Sequence, residues 1–431
     1  MKPREAFERT FELLRLHHQW MKETINLIAS ENVTSLAVRE ALLTDFQHRY
    51  AEGWPGERVY AGCKYIDQVE LLGIELAKEL FEAEHANVQP TSGVAANLAM
   101  YTALTDPGDR MMSLAIPAGG HISMGKKKLG GTAGAVHGLE VEYWPFDEKK
   151  MNIDVEEGLK KVREIKPKLL LFGGSVLLFP HPVKEFREVA EEIGAYIGYD
   201  AAHVAGLIAG KQFQNPLKEG ADVMTCSTHK TLPGPQHGMI LCRKELAEAV
   251  NRAVFPGVVS NHHLHCVAAL NVALAEMLEF GREYAAQIVK NARRLAEELY
   301  EGGLRVVGAD LGFTSSHIVL VEVVREGGGR KVEERLERAN ILVNRNLLPW
   351  DIREGRHYKD PGGIRLGVSE VTRLGMKEEE MGRIAEFILR VVRGENPEKV
   401  AQDVREFRRG FTRVHYAFDS MDEAYEYIRL R

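Results

Sequence analysis

The chain has 431 residues, 45% of them hydrophobic, which is enough for a substantial core and too long for one compact unit, so two or three domains are expected. Its formal net charge of -6 is small, and 56 Lys and Arg are interspersed with 62 Asp and Glu, which excludes the basic footprint of a nucleic-acid-binding protein. No uninterrupted apolar run reaches the roughly 18 residues of a membrane span. The start, MKPREAFERT, lacks the apolar stretch of a signal peptide, so a cytoplasmic protein with neither membrane nor nucleic-acid partners is expected. Cys63, Cys226, Cys242 and Cys266 show no paired spacing and read as free thiols of a reducing compartment.

In chain order, TFELLRLHHQWMKETINLI carries apolar positions near helical spacing, and SLAVREALLTDF opens on Ser35, which can cap a second helix. These segments form a helical arm over residues 1–64. From about residue 65, helical patterns such as QVELLGIELAKELF alternate with apolar runs too short for helices: RMMSLAI, KLLLFGG, AYIGY, DVMTCS and HGMILC. Such alternation predicts a mainly parallel sheet covered by helices, spanning 65–285. A helical stretch over about 263–302 follows. Then LRVVGA, SHIVLVEVV and ILVNRN, with helices near 376–393, predict a smaller α+β unit over 286–431. Gly327 to Gly329 read as a loop, and the charged, Tyr- and Phe-containing C-terminal segment as a helix packed on the small unit.

Three segments carry chemistry. CSTHKTLPGPQHG places Lys230 between hydroxyl residues and a Gly/Pro turn after an apolar run. It is either an ordinary surface lysine or an amine in a pocket, where burial depresses its pKa and permits imine formation. AYIGYDAAHVAGL puts Asp200 at the end of another run, 30 residues upstream of Lys230. In a parallel sheet both project from strand C-terminal ends, where α/β proteins place ligands. A carboxylate paired with a pyridinium nitrogen keeps it protonated, by on the order of 4 kcal/mol or about three pKa units. Asp200 alone is equally readable as a helix cap, and His203 as a core histidine. VQPTSGVAANLAM sets Ser92 and Gly93 before a helix, whose first amides either bind a phosphate or are simply capped.

The strings LIASEN (27–32), YAEGWPG (50–56), ANVQPTSG (86–93), AGGH (118–121), DAAHVAGL (200–207), STHKTLPGP (227–235) and GIRLG (363–367) resemble serine hydroxymethyltransferase in order and spacing over nearly the whole chain. The resemblance implies a fold-type I, aspartate aminotransferase-like architecture with a seven-stranded sheet and pyridoxal 5'-phosphate as cofactor. It implies Lys230 as the Schiff-base lysine with His229 beside it, and Ser92, Gly93 and the Val94 amide on the phosphate. His121 stacks on the ring, Asp200 pairs with its nitrogen, and Ser175 and His203 lie by its oxygen. Ser227, Tyr50 and Asn261 complete the cofactor set. Arg365 would bind the amino-acid carboxylate, a task suited to its bidentate fork, with Ser30, Tyr60 and His203 assisting. Glu52 matches the proton-transfer carboxylate. In the family this glutamate and the tyrosines come across a dimer interface, so a homodimer with shared sites is implied. The implied reaction interconverts serine and glycine and passes one carbon to a reduced pterin.

Four positions depart from the folate-using pattern: Val59 where a tyrosine is common, Gln236 in place of arginine, Val94 in place of serine, and Ser260-Asn261 in place of a glycine pair. They suggest an archaeal-type member using a tetrahydromethanopterin-type carrier instead of tetrahydrofolate. A carrier-independent aldolase acting on threonine-type β-hydroxy amino acids is the alternative, and a catalytically silent binding protein on the same fold is disfavoured by the intact Lys230, Asp200, Glu52 and Arg365. NHHLHC offers four possible metal ligands in five residues, His262, His263, His265 and Cys266. Adjacent ligands do not easily close a tetrahedral site, so no metal is expected.

Overall fold

The computed structural model describes residues 2–430. The apolar runs become strands because each is covered on both faces and therefore needs no polar alternation. Seven strands form one sheet: β1 (His85–Asn87), β2 (Arg110–Ser113), β3 (Glu140–Tyr143), β4 (Leu169–Gly173), β5 (Tyr196–Asp200), β6 (Val223–Ser227) and β7 (Gly238–Cys242). Their order is β1-β7-β6-β5-β4-β2-β3. Only β7 runs antiparallel to its neighbours. Every residue of β4, β6 and β7 is buried.

The helices follow local signals. In α1 (Pro3–Lys22) a proline opens the first turn, and in α2 (Leu36–Leu42) the Ser35 side chain accepts from the Val38 amide. α3 (Lys64–Phe81) turns Ile66, Gly73, Ala77 and Leu80 inward and stops where Glu82 adopts a left-handed conformation. Gly73 packs closely on the long helix that follows, since a Cβ there would lie 2.4 Å from Asn271 Oδ1. α4 (Gly93–Leu104) leads from β1 toward β2.

α5 (Leu264–Glu301) has 38 residues and spans about 57 Å, long enough to touch both halves of the molecule. It is also long and apolar enough to cross a membrane, but most of that stretch is buried in the core. Beyond it, β8 (Arg305–Val306), β9 (Ile318–Glu322), β10 (Asn344–Asn346) and β11 (Gly363–Gly367) form a second sheet in the order β8-β9-β11-β10. α6 (Glu378–Val392) and α7 (Pro397–Arg408) follow. The N-terminal segment is stitched to this region, because Ile25–Asn26 pairs in parallel with Ile341–Leu342.

Two expectations are corrected. ILVNRN is not one strand: Ile341–Leu342 pairs with the N-terminal segment, while Asn344–Asn346 joins the second sheet. The C-terminal segment is helical only through Arg408; from 411 to 430 it has no helix. Val414, Ala417 and Ala424 bury instead against Val33 and Leu374, and Tyr425 donates to Glu370, so tertiary contacts replace intrahelical ones.

α5 is locked to the C-terminal region by an ion pair, Arg373 to Glu276, at 2.5 Å, with both side chains essentially unexposed. Glu276→Ala leaves the guanidinium buried without its anion, so a loss of roughly 3–5 kcal/mol is expected from the urea midpoint at constant slope. The apolar pair Arg373→Met with Glu276→Leu should recover most of that loss.

Candidate active site

A cavity of about 180 Å³ lies among the start of α4, the C-terminal ends of β5 and β6, and the loops around His121 and Ser175. Ser92, Gly93 and Val94 form one wall. Ser92 is a true cap, its hydroxyl accepting from the Ala95 amide at 3.1 Å. The preceding first-turn amides have no intrahelical acceptor, and with the helix dipole they favour an anion. Gly93 permits this geometry: a Cβ there would sit 2.3 Å from Ser227 Oγ, which lines the same wall.

Asp200 ends β5 beside Thr225 of β6 and is only 3% exposed. It does not cap a helix of its own. Its Oδ1 accepts from the Ala202 amide at 3.0 Å and its Oδ2 from Asn97 Nδ2 at 2.8 Å. Asn97 is itself fixed, because Thr225 Oγ1 donates to its Oδ1 at 2.6 Å. Its Nδ2 also reaches Ser123 Oγ at 2.9 Å. The Ser123 amide donates to His121 Nδ1 at 3.1 Å, which leaves the His121 proton on Nε2. One network therefore orients both Asp200 and the His121 ring on the cavity wall.

Lys230 lies three residues beyond β6, with Ser175, His203 and His229 around it on the wall. Desolvation lowers its pKa to about 8, with Arg365 adding to the effect and Asp200 opposing it. Among the described residues no hydrogen bond or ion pair engages its Nζ. Its carbonyl is held by Asn32 Nδ2 at 2.6 Å, which fixes the backbone that carries the amine. Burial also keeps the imidazoles neutral: His229 falls to about 4 and His203 well below its ordinary value. The Nδ1 atoms of both are buried without a partner.

Arg365 stands in the middle of β11, 8% exposed, and does not itself line the cavity. Its Nε donates to Asn344 Oδ1 at 3.0 Å and its Nη1 to the Ser175 carbonyl at 2.9 Å, so it stands one residue behind the wall. Both acceptors are neutral. Among the described residues no carboxylate pairs with it, and desolvation lowers its pKa to about 10. A buried cation without a counterion is unfavourable, and an incoming carboxylate relieves it.

The other expected residues lie elsewhere in the single chain. Ser30 lines a larger cleft of about 1140 Å³, which shares His229 with the cavity and includes Gln236. Tyr50 and Tyr60 are half exposed, with ring centroids 4.7 Å apart. Near them Glu52 accepts from Ser260 Oγ, and Asn261 Oδ1 accepts from the Ala51 amide at 2.9 Å. Val59 is 70% exposed on the same loop. This loop is anchored by Arg58, which binds Asp67 and Glu70, and by Gln89, whose Nε2 donates to the Gly53 carbonyl at 3.0 Å.

Sequence reading missed Asn97, Ser123, Thr225 and Asn344, all of which position a wall or neighbouring side chain. Asn97 had a signal: it is the one strongly polar residue in the otherwise apolar turns of α4. A buried amide in such a helix requires partners, and here they are Asp200, Ser123 and Thr225.

A mainly parallel sheet with a cavity at its strand ends, a lysine, an aspartate and a phosphate-type helix start define an α/β enzyme of the fold-type I class. The family model for serine hydroxymethyltransferase matches residues 5–388. The serine hydroxymethyltransferase of Korarchaeum cryptofilum is 58% identical over 435 residues, covering 99% of this chain and all of that protein. Those of Methanocaldococcus jannaschii and Methanothermobacter thermautotrophicus are 56% and 55% identical, over 96% and 98% of both chains. The chain belongs to the serine hydroxymethyltransferase family, which is a family of pyridoxal-phosphate-dependent enzymes.

Because its pKa is lowered to about 8, Lys230 should react as a neutral amine well below the pH at which exposed lysines do. In reductive amination with a small aldehyde, followed by peptide mass analysis, Lys230 is expected to reach half-maximal labelling near pH 8. A midpoint near the ordinary lysine value of about 10.4 contradicts this.

Proposed function

We propose that this chain interconverts serine and glycine with bound pyridoxal phosphate and passes the one-carbon unit to a reduced pterin. The observation that carries the reading is the convergence on one cavity of a depressed lysine, a doubly held aspartate and a free helix N-terminus, with an uncompensated arginine behind the wall. The donor set fits the cofactor. The α4 amides, Ser92 and Ser227 would hold its phosphate, Asp200 its ring nitrogen, His121 its face, and Lys230 its carbonyl carbon. Ser175 and His203 would border its ring oxygen. When bound, pyridoxal phosphate supplies the electron sink for bond breaking at the substrate α-carbon.

The chain's own residues do the rest. Arg365, already oriented by Asn344 and Ser175, takes the substrate carboxylate through its remaining N–H groups. Ser30 assists from the adjoining cleft, which shares His229 with the cavity. As a free amine Lys230 is a base near neutrality, because its pKa is close to the working range. His229 and His203 stay neutral and add hydrogen-bonding capacity without a competing charge.

Glu52, Tyr50, Tyr60 and Asn261 sit on a partly exposed face outside the cavity of their own chain. We assign them to the neighbouring subunit's site in a homodimer, with Glu52 moving a proton at the substrate hydroxyl. Chains carrying Lys230→Ala and Glu52→Gln, each inactive alone, are then complementary. Random mixing should restore roughly a quarter of the wild-type rate, since half the dimers hold one intact site. No recovery after verified subunit exchange would place Glu52 in its own chain's site.

We place the protein in the cytoplasm, in accord with four free cysteines. The exposed Val59 and Gln236 support a pterin of the tetrahydromethanopterin type, because the side chains expected to contact folate are absent. Serine cleavage is expected to accelerate with a reduced pterin, more with the methanopterin type than with tetrahydrofolate. Cleavage indifferent to any pterin would make the protein a carrier-independent aldolase instead.

A further inference from the structure

His237 is fully buried in the turn that enters β7, at the far end of the segment carrying Lys230. Its Nε2 lies 2.8 Å from the Val88 carbonyl, so that nitrogen carries the proton and Nδ1 presents a lone pair. Nδ1 is buried with no partner. An unsatisfied polar atom inside a protein costs about 1–3 kcal/mol, which a ligand at Nδ1 would relieve. Metal-binding histidines characteristically donate their second ring N–H to a backbone carbonyl, which is the arrangement here.

The neighbours of His237 supply the remaining donors. His263 immediately precedes α5, and Cys266 follows three residues later in its first turn. One ligand atom from each of His237, His263 and Cys266 lies within 4.8 Å of the other two. A tetrahedral site with bonds of about 2.0–2.3 Å needs ligand atoms about 3.3–3.8 Å apart, which small side-chain rotations provide. His263 is exposed in the single chain, which gives a metal a path from solvent.

We propose that His237, His263 and Cys266 form a binding site for one divalent metal of the zinc class. The objection that adjacent ligands cannot close a tetrahedral site applies to the NHHLHC string taken alone. The structure uses only two of its members, three residues apart, and brings the third ligand from 26 residues upstream of His263. The mixed imidazole and thiolate set suits zinc over the hard cations calcium and magnesium.

None of the three residues lines the cavity, and the site is structural. It joins the entry of β7, the Val88 carbonyl and the first turn of α5. The Gly238 amide next door donates to the Pro90 carbonyl at 3.0 Å, so the joint also braces the segment leading to Ser92.

Holoenzyme stripped with a chelator, incubated with excess Zn²⁺ and freed of loose metal is expected to retain one equivalent per chain. Cys266→Ser and His263→Ala chains, confirmed folded by circular dichroism, are expected to retain none. Co²⁺ in the wild type should give the visible bands of a tetrahedral ion with a thiolate charge-transfer band, absent in Cys266→Ser. Zn²⁺ should raise the melting temperature of the wild type and of neither variant. No retained metal, retention by both variants, or loss confined to one of them would each overturn the three-ligand site.

Discussion

An ion taken from water into a protein interior loses several kcal/mol of solvation, and the surrounding structure must return it through fixed dipoles or opposite charge. Asp200 and Arg365 are both nearly inaccessible, and Lys230 stands partly buried between them in charge and in influence. Each is compensated differently. Asp200 receives two hydrogen bonds from neutral donors, whereas Arg365 is steered by two neutral acceptors and given no anion. Lys230 is left to lose its proton. The cavity therefore carries a standing preference for anionic groups, one at the α4 amides and one near Arg365.

That arrangement depends on strand register. Asp200 and Gly173 are paired across β5 and β4, and Asp200 and Thr225 across β5 and β6. A slip of one residue would turn Asp200 to the opposite face of the sheet and separate it from Asn97. A side chain at Gly173 would meet the Asp200 carbonyl at 2.0 Å. The conformation of Gly173, with φ of 82°, is one that a residue with a side chain rarely adopts. The scaffold thus fixes the aspartate by backbone geometry before any side chain contributes.

The sequence made the central strands legible because β2 and β4 to β7 are apolar and flanked by helical patterns. The edge strands β1 and β3 were not legible: HAN is three residues long, and EVEY alternates charge with apolar residues as an exposed edge should. Most of the cavity wall could be read from motifs, since Ser92, His121, Asp200 and Lys230 all lie in short distinctive strings. What could not be read was the support. Asn97, Ser123 and Thr225 gain their importance only when α4 is laid across β5 and β6. The tail beyond Arg408 failed for the same reason: Tyr425 is placed by Glu370, 55 residues away, and no local pattern encodes that contact.

The four histidines near Lys230 and Arg365 show how the electrostatics close. His121, His203, His229 and His317 are all shifted below their ordinary value, with desolvation as the leading cause. Lys230 contributes in the same direction to each of them. Were they cationic, they would add to the repulsion that Lys230 and Arg365 already exert on one another. Neutral, they supply polar atoms to a site that must bind anions without becoming a general anion trap. Among the described residues, the groups left to carry positive charge there are the lysine and the arginine. Near pH 8 the charge of this wall accordingly changes through Lys230, whose pKa is lowered to about 8. Protonation control then resides in the group proposed to hold the cofactor, and burial, by lowering the imidazoles, separates their titration from that of the lysine.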